Sequence, residues 1–284
     1  MPKRVGRYMK YKLFVTDMDG TLLNSNKEIT RENITAINRL IENGIDVVLA
    51  SGRHPALLKE FPRKLGLKTP VIGCNGGVIK DLGTEEVLYM SEMKMESVIK
   101  AIEIANKYNV DFWIYEKDNI FYNREIDRVS KHLENNKTAS KDEFVPMKKF
   151  NSISDLAEDS GKIMKVLFIL IGHEDAKEKL FSEIAKIPDI EFCQSDSILI
   201  DVMNKGITKG RAVQLYAEKK GIKRDEIIAI GDNDNDTSMI EYAGLGIAMG
   251  NAEEDTKKAS QYVTKDCDNN GFGEVVDKIL NGEL

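Results

Sequence analysis

Two aspartates one residue apart, Asp17 and Asp19, stand directly behind a short apolar run at 13–15 and in front of Gly20 and Thr21. The run holds a β-branched residue and an aromatic, a composition that favours a buried strand. A strand that delivers two carboxylates to its C-terminal end needs a compensating cation, because carboxylates that close repel each other. In an open parallel sheet, that end is also where ligands bind. The same four residues suit a plain turn, since Asp and Gly favour turns for backbone reasons. Taken alone, the stretch leaves both readings open.

Further residues of matching chemistry follow the other apolar runs. Ser51, Gly52 and Arg53 follow a β-branched run at 45–50, and Asn75 and Gly76 follow another at 71–73. Lys209 begins a helical pattern at 209–220, and Asp232, Asn235 and Asp236 follow the all-apolar run 227–230. Together they supply acidic oxygens for a hard cation, an ammonium, a hydroxyl and exposed backbone N–H groups. Mg²⁺ prefers one or two carboxylates with waters and a phosphate. A phosphate suits a lysine, a hydroxyl and the positive end of a helix. The set meets the requirements of metal-assisted phosphoryl transfer. An EF-hand beginning at Asp232 would need Gly and Glu where Thr237 and Ala243 stand, so a calcium loop is excluded. Gly244 and Gly246 lack the third glycine of a dinucleotide fingerprint, Met249 standing in its place, and no Walker-type loop is present.

The elements that position these groups alternate. Thr30 caps a helix traced by Ile34, Ile37 and Ile41 and stopped at Gly44, and 55–65 forms a helix broken or kinked at Pro62. Strand, helix, strand, helix, strand, with polar or glycine-rich strand ends, predicts a parallel sheet with crossover helices. From about Gly83 the texture changes to adjacent strands (87–90, 110–115, 120–122, 162–171, 190–194, 198–202) with intervening helices and a polar loop at 135–142. The alternation resumes at Thr208. The expected fold class is α/β, a Rossmann-like doubly wound parallel sheet core with an inserted α+β cap. The core comprises 1–83 and 196–284, and the cap 84–195. Trp113, Tyr115 and Phe121 are expected in the cap core, Arg124 is a candidate substrate contact, and His54, His132 and His173 lack metal-ligand spacing.

Composition sets the class of protein. With 284 residues, 42% hydrophobic and 31% charged, the chain is long enough for a sizeable core and soluble in character. A net charge of −6 argues against a nucleic-acid footprint. No apolar run approaches the ~20 residues that span a bilayer. Three widely spaced cysteines suggest neither a disulfide framework nor a metal site and fit a reduced, cytoplasmic setting. Residues 1–8 are basic without a signal-peptide core, so they are expected to be a disordered lead, with Met9 an alternative start. The chain is expected to act as a monomer or small homo-oligomer.

Asp17-Met18-Asp19-Gly20-Thr21, Ser51-Gly52-Arg53, Lys209-Gly210 and Gly231-Asp232 through Asn235-Asp236 occur in the order of the four motifs of the haloacid dehalogenase-like superfamily, which this sequence resembles. Asn75-Gly76 and the large insertion between the second and third motifs resemble its Cof-type branch of sugar-phosphate and other small-metabolite phosphatases. The resemblance runs from Met9 onward. It implies that Asp17 attacks phosphorus to form an aspartyl-phosphate, and that Asp19 protonates the leaving alkoxide and then activates water. It implies Mg²⁺ on the Asp17 carboxylate, the Asp19 carbonyl and Asp232, with Asn235 or Asp236 nearby, and Ser51, the Gly52 N–H and Lys209 on phosphoryl oxygens with Asn235 joining them. Arg53 and Asn75 would contact substrate. Thr21 and Asp236 would stand behind the ligands, Asp236 orienting Lys209. The alternatives are a phosphosugar mutase of the phosphomannomutase type, or a silent binding or regulatory protein on the same fold.

Overall fold

The computed structural model describes residues 10–140, 143–158 and 161–284; the basic lead and the start at Met9 lie outside the described residues. The strands, in chain order, are β1 (Leu13–Thr16), β2 (Asp46–Leu49), β3 (Val71–Gly73), β4 (Val78–Lys80), β5 (Val87–Met90), β6 (Asp111–Glu116), β7 (Ile120–Tyr122), β8 (Met147–Lys149), β9 (Ile163–Ile169), β10 (Ile190–Asp196), β11 (Leu199–Asn204), β12 (Ile227–Gly231), β13 (Leu245–Ala248) and β14 (Tyr262–Val263). The helices are α1 (Arg31–Glu42), α2 (Glu60–Leu65), α3 (Met95–Lys107), α4 (Asp127–Asn136), α5 (Ile153–Glu158), α6 (Lys177–Ile184), α7 (Lys209–Lys220), α8 (Asp234–Tyr242), α9 (Glu254–Ala259) and α10 (Gly271–Asn281).

A parallel sheet in the order β14-β13-β12-β1-β2 forms the core. Its interior strand β1, between β12 and β2, is buried on both faces, the expected state of a parallel strand covered by crossover helices. Phe14 points into one layer with Ile37 and Leu40 of α1 and Phe272, Val275 and Val276 of α10. Leu13 and Val15 point into the other, with Ala212, Val213 and Tyr216 of α7 and Met239 of α8. Thr30 caps α1 through its side chain, which accepts from the Asn33 N–H.

The inserted cap contains a mixed sheet in the order β10-β11-β9-β6-β7-β8, antiparallel except for the β7–β8 pair. One face, with Phe112, Ile114, Val166 and Phe168, packs on α3 and α6. The other carries Trp113, Tyr115, Leu167 and Leu199 and overhangs the C-terminal ends of the core strands.

Several sequence expectations change. Strand β3 lies in a small antiparallel sheet with β4 and β5, touching the core sheet through the Ala50–Ile72 bridge. Pro62 does not break a helix: the chain already turns in a 3₁₀ segment at Pro55–Leu57, and Pro62 sits in the first turn of α2, where its missing N–H costs no intrahelical bond. Helix α4 extends to Asn136, into the expected polar loop, of which 141 and 142 lie outside the described residues. The expected return to the core at 196 falls inside a hairpin, because β11 pairs with β10 and β9 in the cap sheet. Polar residues dominate β8 and surround α5, which concealed both.

Candidate active site

Asp17 directly follows β1 and its backbone continues the pairing with β12, Asp17 N–H donating to the Ile230 carbonyl at 3.0 Å. The chain then reverses at Gly20, where φ is +81°. That value is costly for any residue with a Cβ, and a Cβ there would also strike the Asp232 carboxylate. The turn therefore brings the loops after β1 and β12 together. Thr21 Oγ1 donates to Asp232 Oδ1 at 2.8 Å, and Asn251 Nδ2 reaches Asp232 Oδ2 at 3.3 Å.

Beneath Asp17 lies Lys209, the first residue of α7 and fully buried. Its ammonium pairs with Asp17 Oδ1 at 2.6 Å and Asp236 Oδ1 at 2.5 Å. Asp236 Oδ2 accepts the Asp232 and Asn233 N–H groups at 3.0 and 3.1 Å, closing the capping box of α8. Both Asp236 oxygens are thus engaged, and the residue acts as an anchor for Lys209. Carboxylate oxygens of Asp17, Asp232 and Asp236 lie within 4.8 Å of one another. Burial, then Asp236, raise Asp17 well above the carboxylate range, against the pull of Lys209. Burial and Asp236 likewise raise Asp232 to about 7. Such crowding is relieved by a cation, so the donor set fits a divalent metal ion with Asp17 and Asp232 as its ligands.

Asp19 faces the other way. Arg53 grips it in a bidentate pair, Nε to Oδ2 at 2.9 Å and NH2 to Oδ1 at 2.8 Å, and Lys27 Nζ adds a contact at 3.1 Å. Burial opposes ionisation of Asp19, but Arg53, helped by Lys27, carries its carboxyl below the usual value. These groups open onto a cavity of about 400 Å³ lined from the core by Asp17, Asp19, Ser51, Gly52, Arg53 and Asn235. Tyr115, Arg128, Lys165, Ser195 and Asp196 close it from the cap. Tyr115, expected only as cap core, is buried and also part of this wall.

Asn75 departs from its expected place facing substrate. Its Oδ1 accepts from Asn235 Nδ2 at 3.0 Å and its Nδ2 donates to Asp201 at 2.9 Å, so its amide bridges core and cap and does not line the cavity. Arg124 lies away from the cavity, its guanidinium against Asp111 at 3.3 Å and against Asn109. Sequence reasoning missed Lys27, Arg128, Lys165, Ser195, Asp201 and Asn233. For two of these a signal existed: Lys165 in Ile163–Ile169 and Asp201 in Leu199–Asn204 are charges within apolar strands, and charge that deep requires a partner.

His54 is buried beside this wall. Nε2 bonds the Glu116 carbonyl at 2.7 Å, and Nδ1 accepts the Ala56 N–H at 3.1 Å, so the ring is neutral. Burial, with Lys80 and Lys165 nearby, lowers its pKa from 6.5 to about 4. The lowered value leaves its stabilising contribution complete above pH 6.5 and removes it as pH falls toward 4, a loss of about 3 kcal/mol. Urea unfolding at pH 7 and 4.5 is expected to show a smaller acid-dependent loss in His54→Asn than in the parent protein. Equal losses would discount the histidine.

A sequence profile described as haloacid dehalogenase-like hydrolase matches residues 14–276. The pyridoxal phosphate phosphatase YbhA of Escherichia coli (strain K12) is 28% identical, over 91% of this chain and 94% of its own. The 5-amino-6-(5-phospho-D-ribitylamino)uracil phosphatase YwtE of Bacillus subtilis (strain 168) is 30% identical, over 96% of this chain and 99% of its own. Among solved structures, the subclass IIB sugar phosphatase BT4131 superposes with a TM-score of 0.78 at 26% identity, over 96% of this chain and 100% of its own.

Proposed function

Because this chain belongs to the haloacid dehalogenase-like hydrolases, we propose that its cavity hydrolyses small phosphomonoesters, sugar phosphates among them, through an aspartyl-phosphate on Asp17. It is a phosphoric monoester hydrolase of the family's Cof-type branch. One observation carries the detailed reading: Asp17 is held by a buried ammonium at 2.6 Å and lines a cavity shared with Ser51 and Gly52. A nucleophile fixed beside phosphate-binding groups suits covalent transfer, which divides one difficult displacement into two easier ones. Relatives that act on pyridoxal phosphate, a ribitylaminouracil phosphate and sugar phosphates support the substrate class.

In this reading Lys209 orients Asp17 and offsets charge that would repel an anionic substrate. Ser51, the Gly52 N–H and Asn235 hold phosphoryl oxygens. Asp19 donates the proton to the leaving alkoxide and later takes one from water. Its grip by Arg53 and Lys27 keeps it ionised, so an arriving phosphate that draws Arg53 away raises its proton affinity and prepares it as an acid. Mg²⁺, held by Asp17, Asp232 and the Asp19 carbonyl, would supply charge neutralisation among the carboxylates and phosphoryl oxygens. Cytoplasmic placement belongs to the same reading, supported by three free cysteines.

The test is release of phosphate from an aryl phosphate and from a hexose 1-phosphate, with Mg²⁺ and with excess chelator. Hydrolysis is expected with Mg²⁺ and a loss of at least about 100-fold under chelator, several kcal/mol of transition-state stabilisation being withdrawn. Full activity in chelator would reject the metal assignment, and isomerised hexose phosphate without free phosphate would indicate a mutase.

A further inference from the structure

A buried ion pair in the cap has no part in the chemistry above. Lys165 of β9 is 2% exposed and Asp201 of β11 is 0% exposed, and their charged atoms are 2.6 Å apart. In the β9–β11 register Lys165 faces Met203 and Leu167 faces Asp201, so the pair is a diagonal one on the face toward the core. Each partner also reaches out of the cap. Lys165 Nζ donates to the Gly52 carbonyl in the loop after β2, and its ammonium lies 4.4 Å from the centre of the Tyr115 ring. Asp201 Oδ2 accepts from Asn75 Nδ2 at 2.9 Å, and Asn75 Oδ1 accepts from Asn235 Nδ2. Asn75 and its neighbour Cys74 have φ values of +55° and +53°, a left-handed conformation that costs energy and persists where surrounding contacts over-determine it. Two bridges thus run from one cap ion pair to the core, one to the Gly52 loop that lines the cavity and the other through Asn75 to Asn235, which also lines it.

Although Lys165 borders the cavity, its ammonium is already paired with Asp201, bonded to the Gly52 carbonyl and set over the Tyr115 ring, so its charge is engaged within the protein. Its bond to the Gly52 carbonyl fixes the plane of the Gly52–Arg53 peptide. Removing buried charge there is costly only if one partner remains alone, which makes the pair an expensive choice for stability and an effective one for register.

We propose that Lys165 and Asp201 are positioning residues that latch the cap to the phosphate loop, setting Gly52 directly and Asn235 through Asn75. The proposal rests on the phosphatase reading above. The decisive variant is Lys165→Met/Asp201→Asn, which removes both charges yet leaves an amide oxygen for Asn75. Its kcat is expected to fall by at least about tenfold, since sub-ångström misplacement of binding groups is costly. The factor should be the same for an aryl phosphate and a hexose phosphate, with orthovanadate inhibition weakened in parallel. Cooperative thermal unfolding should remain, and amide exchange in 51–53 should quicken. Wild-type kcat together with unchanged exchange would overturn the latch, as would a loss confined to one leaving group, which would make Lys165 a substrate ligand. Should the double variant not fold, Lys165→Arg retaining turnover where Lys165→Gln loses it supports the latch, and equal activity of the two overturns it. Failure of the wild-type protein to release phosphate would reject the phosphatase reading instead, and the exchange comparison, which needs no turnover, would still decide the latch.

Discussion

Asp17→Asn is expected to lower phosphate release by at least about 10⁴-fold, the scale of losing a covalent nucleophile, while the protein stays folded. The two halves of that expectation have separate causes. An amide cannot form the acyl phosphate, so the two-step route is closed. An amide oxygen can, however, still accept from Lys209, and the substitution removes a charge that burial and Asp236 already disfavour. Thermal unfolding of the variant should therefore remain cooperative, with a midpoint no lower than a few degrees below the parent. Loss of metal affinity would also slow turnover, so the informative measurement is acid quenching of the parent protein during turnover with labelled substrate. Label should appear in the peptide containing Asp17 and vanish in the variant; undiminished release by Asp17→Asn would reject covalent catalysis.

The positions of Asp17, Ser51, Lys209 and Asp232 were legible because each follows or precedes an apolar element whose length and β-branching are local properties. A parallel sheet then gathers its strand ends without further information. What these side chains do there is a matter of long-range contact. Asp19 looks equivalent to Asp17 in sequence, yet it points to Arg53, 34 residues on, and its carboxylate stands apart from the cluster of Asp17, Asp232 and Asp236. Asn75 follows a strand like the others, but the left-handed turn at Cys74 and Asn75 swings its amide toward Asp201, 126 residues away. The cap boundary was misplaced for a related reason. By texture the run 198–202 belongs with the cap strands, yet a boundary at 195/196 leaves it in the core, and its antiparallel pairing with β9 and β10 puts it in the cap sheet. Local periodicity identifies strands, whereas partner choice depends on the completed sheet.

Lys209→Met is the second large effect, and it should cost stability as well as activity. Lys209 is the cation buried against Asp17 and Asp236, and breaking such a group by removing one partner costs about 3–5 kcal/mol, because the remaining charges stay buried. The pH dependence identifies the cause. Burial opposes the charge on Lys209, but Asp17 and Asp236 outweigh it and raise its pKa above the ordinary 10.5. Its contribution is therefore complete below pH 10.5 and lost only as pH rises through the higher folded value, giving the parent no slope from this group between pH 5 and 8. In the variant the carboxylates repel one another without relief. The folded pKa values of Asp17 and Asp232, already raised in the parent, rise further above the unfolded value of about 4, so stability declines as pH climbs from there toward neutrality. The deficit against the parent should be small at pH 4.5 and largest near pH 7.5 in urea unfolding. Divalent cation should recover part of it at the higher pH, and Asp236→Asn in the same background should recover part of it without cation. A deficit independent of pH would mean that Lys209 matters through packing of its aliphatic stem, and the electrostatic account of the site would then fail.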